Sequence, residues 1–327
     1  MIGIGSTMRR IFTLACVALV IVIVALAGGL YWDGGIYRLN VVMRRGGSIW
    51  VAASPDDSRI SPSMKLALTR PDLNVTPGDL HWREIHPGFQ VSELPVLAEG
   101  REVDRIVLAR IDPARFRFEV RNRSSGDRDL QAWMQLLGAA LVINGSYFTK
   151  HGTPDTPVVS AGARSGPKAY DATHGAFVAS SSSVQVQDLA GTSWSRVFEG
   201  AHNAMASYPM LIGSDGKGRA VASKWLANRS FVAQDVDGYI VLGTTVDAFF
   251  SLDKLADFLR QSPLKLKTAL NLDGGPVACQ GISLGGFVRD HCGRFETRNV
   301  DGRLEVLAPL FGERRRTLPI VLAVFPK

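Results

Sequence analysis

The chain has 327 residues, of which 46% are hydrophobic and 20% charged. That is enough apolar material for a real core, and it excludes a disordered or fibrous protein. Lys and Arg outnumber Asp and Glu 37 to 30, an excess that suits an anionic envelope polymer. It forms no basic stripe interleaved with aromatics, so a nucleic-acid partner is not expected.

In chain order, the first feature is an uncharged run, IFTLACVALVIVIVALAGGLYW, from Ile11 to Trp32. At about 1.5 Å per residue it is long enough to cross a hydrocarbon core about 30 Å thick. Arg9 and Arg10 precede it, placing residues 1–10 as a cytoplasmic tail. Ala25-Leu26-Ala27 also fits a signal-peptide cleavage site. The run is therefore a transmembrane anchor or a signal helix. Either way the body is exported, to the periplasm or another extracytoplasmic space. Residues 33–82 are rich in Pro, Ser, Asp and Arg and read as a connector, either a stalk or an extended arm packed on the body. Only Met64–Leu68 has a faint helical pattern there.

Residues 83–327 read as one domain. Val103–Ile111 and Arg115–Val120 have strand patterns, and Asp129–Leu137 places Leu130, Trp133, Met134 and Leu137 on one helical face. Leu141-Val142-Ile143 is a buried strand, as are Ala176–Ala179 and Tyr239–Val246. Ser251 is placed to cap a helix running to Gln261, with Pro263 beyond its end. Ala269–Leu272 and Leu318–Phe325 are further strands. Strands outnumber helices without regular alternation, which predicts an α+β fold, a mixed and strand-rich single domain with a few helices.

Two buried strands run directly into polar residues and glycine: Asn144-Gly145-Ser146-Tyr147-Phe148 and Asn271-Leu272-Asp273-Gly274-Gly275. Strand ends at a sheet edge are where ligands bind, and glycine lets a backbone turn sharply beside them. Each dipeptide, Asn-Gly or Asp-Gly, is also a common turn. Arg229 lies among apolar and aromatic neighbours, in Trp225–Asp235. Its planar fork suits phosphate or carboxylate oxygens, or an ion pair with an acid such as Asp235. Thr244-Thr245-Val246-Asp247 adds hydroxyls and a carboxylate at another strand end, or a capped turn. Cys279 and Cys292 are the two cysteines of the body, placed to form a disulfide after export or to remain thiols. None of His151, His174, His202 and His291 stands at metal-ligand spacing, so no metal or cofactor is implied.

Taken in order, N-G-S-Y-F, the Arg229-Ser230 segment before D-x-D-G, S-L-D-K-L-A-D-F-L and A-L-N-L-D-G-G resemble the phosphodiester glycosidase family across about residues 85–290. The resemblance implies hydrolysis of a sugar-1-phosphodiester at the anomeric carbon, releasing the sugar and leaving a phosphomonoester on a cell-envelope glycan or polymer. The partner is then a carbohydrate or sugar phosphate. Asp273 would be nucleophile or base, Arg229 would hold the phosphate, and Asn144 and Asn271 would orient sugar hydroxyls or water. Gly274, Gly275, Tyr147 and Thr245 would line the substrate, with Asp247 and Asp235 as candidates for a second carboxylate. Two motifs depart from the family pattern. Ala227-Asn228 replaces His-Pro before the arginine, and Pro276-Val277 replaces Gly-Ser after Asp-Gly-Gly. The rival reading is a non-catalytic, membrane-anchored protein that binds or organises exopolysaccharide; Asn144, Arg229 and Asp273 converge on one pocket only for the enzyme.

Overall fold

Every pairing of the strands is antiparallel, so the mixed α+β chain builds its sheets from hairpins and long returns. The computed structural model describes residues 4–170, 174–181, 183–312 and 315–327; residues 1–3 of the expected tail lie outside them. An eight-stranded sheet runs in the order Met210–Ile212, Leu266–Asn271, Ser230–Asp235, Ile240–Thr245, Arg101–Ile111, Phe89–Ala98 and Thr76–Pro77, with Arg83–His86 also pairing with Phe89–Ala98. A five-stranded sheet sets Leu141–Asn144 between Cys279–Leu284 and Ile320–Pro326. A second five-stranded sheet centres on Asn203–Ser207. The main core lies between these sheets, with Phe89, Phe116, Leu141, Phe177, Met205, Leu242, Leu270 and Leu322 all but sealed from solvent. A strand buried on both faces has no polar alternation, and Leu141–Asn144 and Ile240–Thr245 are buried at every position.

The helices follow local chemistry. Asp129 caps Leu130–Leu137 by accepting from the Ala132 amide at 2.9 Å, and Gly138 closes it in the left-handed region at φ 57°. Leu252–Gln261 starts after Ser251 as expected, but the Ser251 hydroxyl makes no cap bond. Its inner face, Leu255, Phe258 and Leu259, packs with Phe249 and Phe250 in a second core.

Residues 33–82 are packed on the body and do not form a free stalk. The N-terminal helix spans Ile4–Arg45 but breaks at Gly34–Gly35, and the short part after the break is docked. Ser48–Ala52 pairs with Arg303–Pro309 in a four-stranded sheet. The helix Pro62–Thr69 buries Met64 completely in the second core. Contacts with the body therefore begin as early as Asp33, which pairs with Lys150, in keeping with the packed-arm alternative for this connector. Its short early segments are held by partners distant in the chain, from Val103 for Ser63 to Arg303–Pro309 for Ser48–Ala52, which local periodicity does not register.

Candidate active site

The strands Leu141–Asn144 and Leu266–Asn271 end side by side, and the loops that follow are joined by two hydrogen bonds. The Asp273 amide donates to the Gly145 carbonyl at 3.0 Å, and Asn144 Nδ2 donates to the Asp273 carbonyl at 2.7 Å. Asn144 Oδ1 accepts from the Cys279 amide at 3.1 Å. Both ends of the Asn144 amide are thus engaged by the backbone, and its role in the structure is to hold the Asp273 turn.

Asp273 enters a cluster with Glu296 and Arg229. Burial, reinforced by the Glu296 charge, pushes the Asp273 carboxyl up to about 8, against the Gly274 amide and Arg229, which pull it down. Glu296 is also raised by burial, and is held down by Arg229 and by the hydrogen bond from Trp225 Nε1 at 3.0 Å. The two carboxyls share one buried site and are coupled through the Glu296 charge acting on Asp273. Arg229 is 6% exposed. It donates from Nε to the Phe250 carbonyl at 3.2 Å and from Nη2 to the Trp225 carbonyl at 2.6 Å. Burial lowers its pKa, and Tyr147, Glu296 and Asp273 act in the opposite direction.

The glycines of this turn are required by space as well as by conformation. A Cβ on Gly274 would stand 2.9 Å from the Asn228 carbonyl and 3.5 Å from Arg229 Nη1. Gly275 sits at φ 66°, and a Cβ there would run into the Glu296 carboxylate. On the other side of the cluster, Tyr147 stacks on Tyr208 with ring centroids 4.4 Å apart, and His174 tilts against Tyr208 at 5.4 Å. Asn271 Nδ2 donates to Tyr147 Oη at 2.7 Å and to the Tyr208 carbonyl at 3.1 Å, while its Oδ1 is buried without a partner. Flat aromatic walls beside carboxyls and an amide are a surface on which a sugar ring can stack while its hydroxyls are read. Among the described residues, no group of three His, Cys, Asp or Glu side chains is arranged to hold a metal.

Residues 137–280 match the phosphodiester glycosidase family model. The resemblance carried by the Asn144, Arg229 and Asp273 motifs holds for this segment. No curated protein matches the chain. Among solved structures, it is similar to the catalytic domain of zebrafish N-acetylglucosamine-1-phosphodiester alpha-N-acetylglucosaminidase, auto-inhibited by its pro-peptide. The identity is 15% and the TM-score 0.47, covering 86% of this chain and 88% of that one. It is also similar to a hypothetical protein from Synechocystis, at 16% identity and TM-score 0.46, covering 78% and 68% respectively.

Within the matched segment, the structure brings Asn144, Tyr147, Arg229, Asn271, Asp273, Gly274 and Gly275 to one place. Thr245 lies behind them: its hydroxyl accepts from the Arg229 amide at 2.9 Å and donates to the Asp247 carbonyl at 2.7 Å. The structure does not bring Asp235 and Asp247 to the cluster. Asp235 closes the far end of its strand, pairing with Arg110 at 2.6 Å and accepting from the Asp237 and Tyr239 amides. The Asp247 carboxylate accepts from the Ala248 amide at 2.7 Å, and the Asp247 amide donates to Asp104. Arg229 therefore has no ion pair with Asp235. The second carboxylate in the cluster is Glu296, beyond the matched segment. Glu296 begins the strand Glu296–Val300 opposite Ala227, and that pairing carries it to Arg229.

The replacement of His-Pro by Ala227-Asn228 also has a visible use. Asn228 is fully buried, and its Nδ2 donates to the carbonyls of Thr245 and Val246, each at 3.1 Å. Its Oδ1 accepts from the amides of Arg294 and Phe295, each at 2.9 Å. Its own carbonyl accepts from the Gly275 amide at 2.8 Å. One residue, by its side chain and its carbonyl, thus ties the Thr245 strand end, the approach to Glu296 and the Asp-Gly-Gly turn together. Cys279 and Cys292, directly opposite on paired strands, form a disulfide at the edge of this assembly.

Proposed function

We propose that the protein hydrolyses a sugar-1-phosphodiester at its anomeric carbon, on a cell-envelope glycan or polymer outside the cytoplasm. The observation that carries this reading is the Asp273–Glu296 pair beside Arg229, with Asp273 and Arg229 inside the segment that matches the phosphodiester glycosidase family model. Glu296, kept toward its charged form by Arg229 and Trp225, takes a proton from water as it attacks the anomeric carbon. The bond from that carbon to the bridging oxygen breaks, and its electron pair leaves with the phosphate. Asp273, holding a proton at neutral pH, passes it to the departing oxygen. A phosphate leaves more readily than an alkoxide, so this acid assists a group that also needs its charge met, and Arg229 supplies that. Tyr147 and Tyr208 provide the stacking wall, and Asn271 the hydroxyl contact. Export is supported by the N-terminal helix, whose apolar stretch is unburied and fits a signal or an anchor.

The test is incubation of the purified protein with methyl-phospho-N-acetylglucosamine and related sugar-1-phosphodiesters, with free sugar and phosphomonoester measured separately. Release of both in equal amounts, abolished in Asp273→Asn, supports the reading. No release from any sugar, together with binding of envelope polysaccharide, would instead establish the non-catalytic organiser.

A further inference from the structure

The anchor is joined to the site without a flexible tether. The apolar helix is exposed along its length and ends in Tyr31 and Trp32, the latter 90% exposed, as aromatic residues do at a bilayer interface. It breaks at Gly34–Gly35, and the chain is fastened immediately on either side. Asp33 pairs with Lys150 at 3.0 Å. Tyr37 is 9% exposed and packs edge-on against Phe148 at 5.8 Å, filling the space beside Gly126 and Gly152. Asn40 donates to the Ser125 carbonyl at 2.7 Å, and Arg45 pairs with Asp129 at 2.7 Å. Phe148 directly follows Tyr147 of the stacking wall, and the Tyr37 hydroxyl is raised by burial and by the charge of Asp273. From Trp32 to Tyr37 is five residues, at most about 18 Å of chain. The rim of the candidate site therefore lies close to the headgroup layer.

A second feature lies on the same side. Leu310 and Phe311 are exposed, Phe311 to 63%, and their amides donate to the Gly47 and Gly46 carbonyls at the end of the docked helix. Ile36 and Met43 are exposed on that helix. Arg316 donates to the Gly47 carbonyl at 2.6 Å. With Arg315, His291 and Pro276 it lines a cavity of about 340 Å³ that adjoins the Asp-Gly-Gly turn. Apolar side chains beside arginines, continuous with a membrane-spanning helix, form a surface suited to an anionic lipid headgroup region.

We propose that the substrate is a lipid-linked sugar phosphodiester held in the same bilayer as the anchor. This rests on the hydrolase reading above. The sugar lies against Tyr147 and Tyr208, its phosphate meets Arg229, and the lipid-bearing side of the phosphate leads past Arg316 to the membrane. Water adds its hydroxyl to the anomeric carbon and its other proton is taken up by Glu296. The released sugar diffuses away, and the phosphomonoester stays in the bilayer on its lipid.

The experiment uses the full chain in phosphatidylcholine–phosphatidylglycerol vesicles with two probes: polyprenyl-phosphate N-acetylglucosamine in the bilayer, and methyl-phospho-N-acetylglucosamine in solution. Two or four Glu-Ala-Ala-Ala-Lys repeats are inserted between Trp32 and Asp33, lifting the body by up to about 15 or 30 Å where they are helical. The expected result is a stepwise loss on the lipid probe, more than tenfold with four repeats, with the soluble probe unchanged. Leu310→Ser with Phe311→Ser lowers the lipid rate alone by a smaller factor. Equal lipid turnover with and without the spacers, or cleavage of the soluble probe only, overturns the proposal while leaving the hydrolase reading intact. If the unmodified chain cleaves neither probe nor any other sugar-1-phosphodiester, the hydrolase reading fails and takes this proposal with it.

Discussion

Two carboxylate clusters in this protein look alike on paper and differ in what surrounds them. Asp104 and Asp247 meet near one strand end; Asp273 and Glu296 meet near another. Burial raises Asp104 to about 7 and Asp273 to about 8. Asp104, however, accepts from three backbone amides, those of Arg105, Asp247 and Phe249. Asp273 accepts from one, Gly274, and its other neighbours are a second acid, an arginine and aromatic rings. Asp104 has its hydrogen-bonding capacity used by the fold and serves as a buried knot. Asp273 has desolvation without saturation, which is the condition of a group that can exchange a proton. The informative quantity is how much of a buried acid the backbone has already claimed.

That contrast can be broken first by activity. Asp273→Asn should lower kcat on a soluble sugar-1-phosphodiester by about 10²–10⁴-fold, whereas Asp104→Asn should leave kcat of the folded protein within about twofold. Comparable losses in both would erase the distinction. Glu296→Gln should cost about 10²–10³-fold and also reshape the pH profile. On the proposed mechanism, activity of the parent should fall on the acid side as Glu296 is protonated and on the alkaline side as Asp273 loses its proton near pH 8. In the variant the acid limb should disappear. The alkaline limb should move to lower pH, because the charge that raises Asp273 is gone. Asn271→Ala should raise KM about tenfold, by releasing Tyr147 and removing a sugar contact.

Stability provides the finer test. Asp104→Ala orphans three buried amides at roughly 1–3 kcal/mol each before relaxation, so thermal denaturation should shift down by about 5 °C or more. Asp273→Asn should shift it up. The folded Asp273 pKa lies above its unfolded value, so its contribution is fully present below pH 3.8 and is lost as pH rises through about 8. The gain in the variant should therefore be absent near pH 4 and reach roughly 3–6 °C above pH 8.

What was legible in the sequence follows from where each residue's partners lie. Asn144 and Asp273 could be found because each follows an apolar strand, and Arg229 because it stands among apolar and aromatic neighbours, and the chain order of these motifs resembles a known family. The helices at Leu130–Leu137 and Leu252–Gln261 were legible from periodicity alone. Glu296 was not, because it begins an ordinary-looking strand and reaches the site only by pairing with Ala227. Tyr208 and Trp225 likewise lie in loop-rich sequence with no local signal. Asp235 and Asp247 attracted interest as acids at strand ends, yet turn geometry supplies their amides close by in the chain. Local pattern gives strand ends; it does not say which side chains the backbone will satisfy.

The Cys279–Cys292 bridge carries a consequence for the timing of activity. The Cys279 amide is held by Asn144, and Gly293, next to Cys292, packs against the Gly275 carbonyl and Asn228. The crosslink thus secures, from behind, the hairpin against which the Asp-Gly-Gly turn rests. With its thiols reduced, that support is held by strand pairing alone. Oxidation of the two thiols therefore has to come before the Asp-Gly-Gly turn has its full backing.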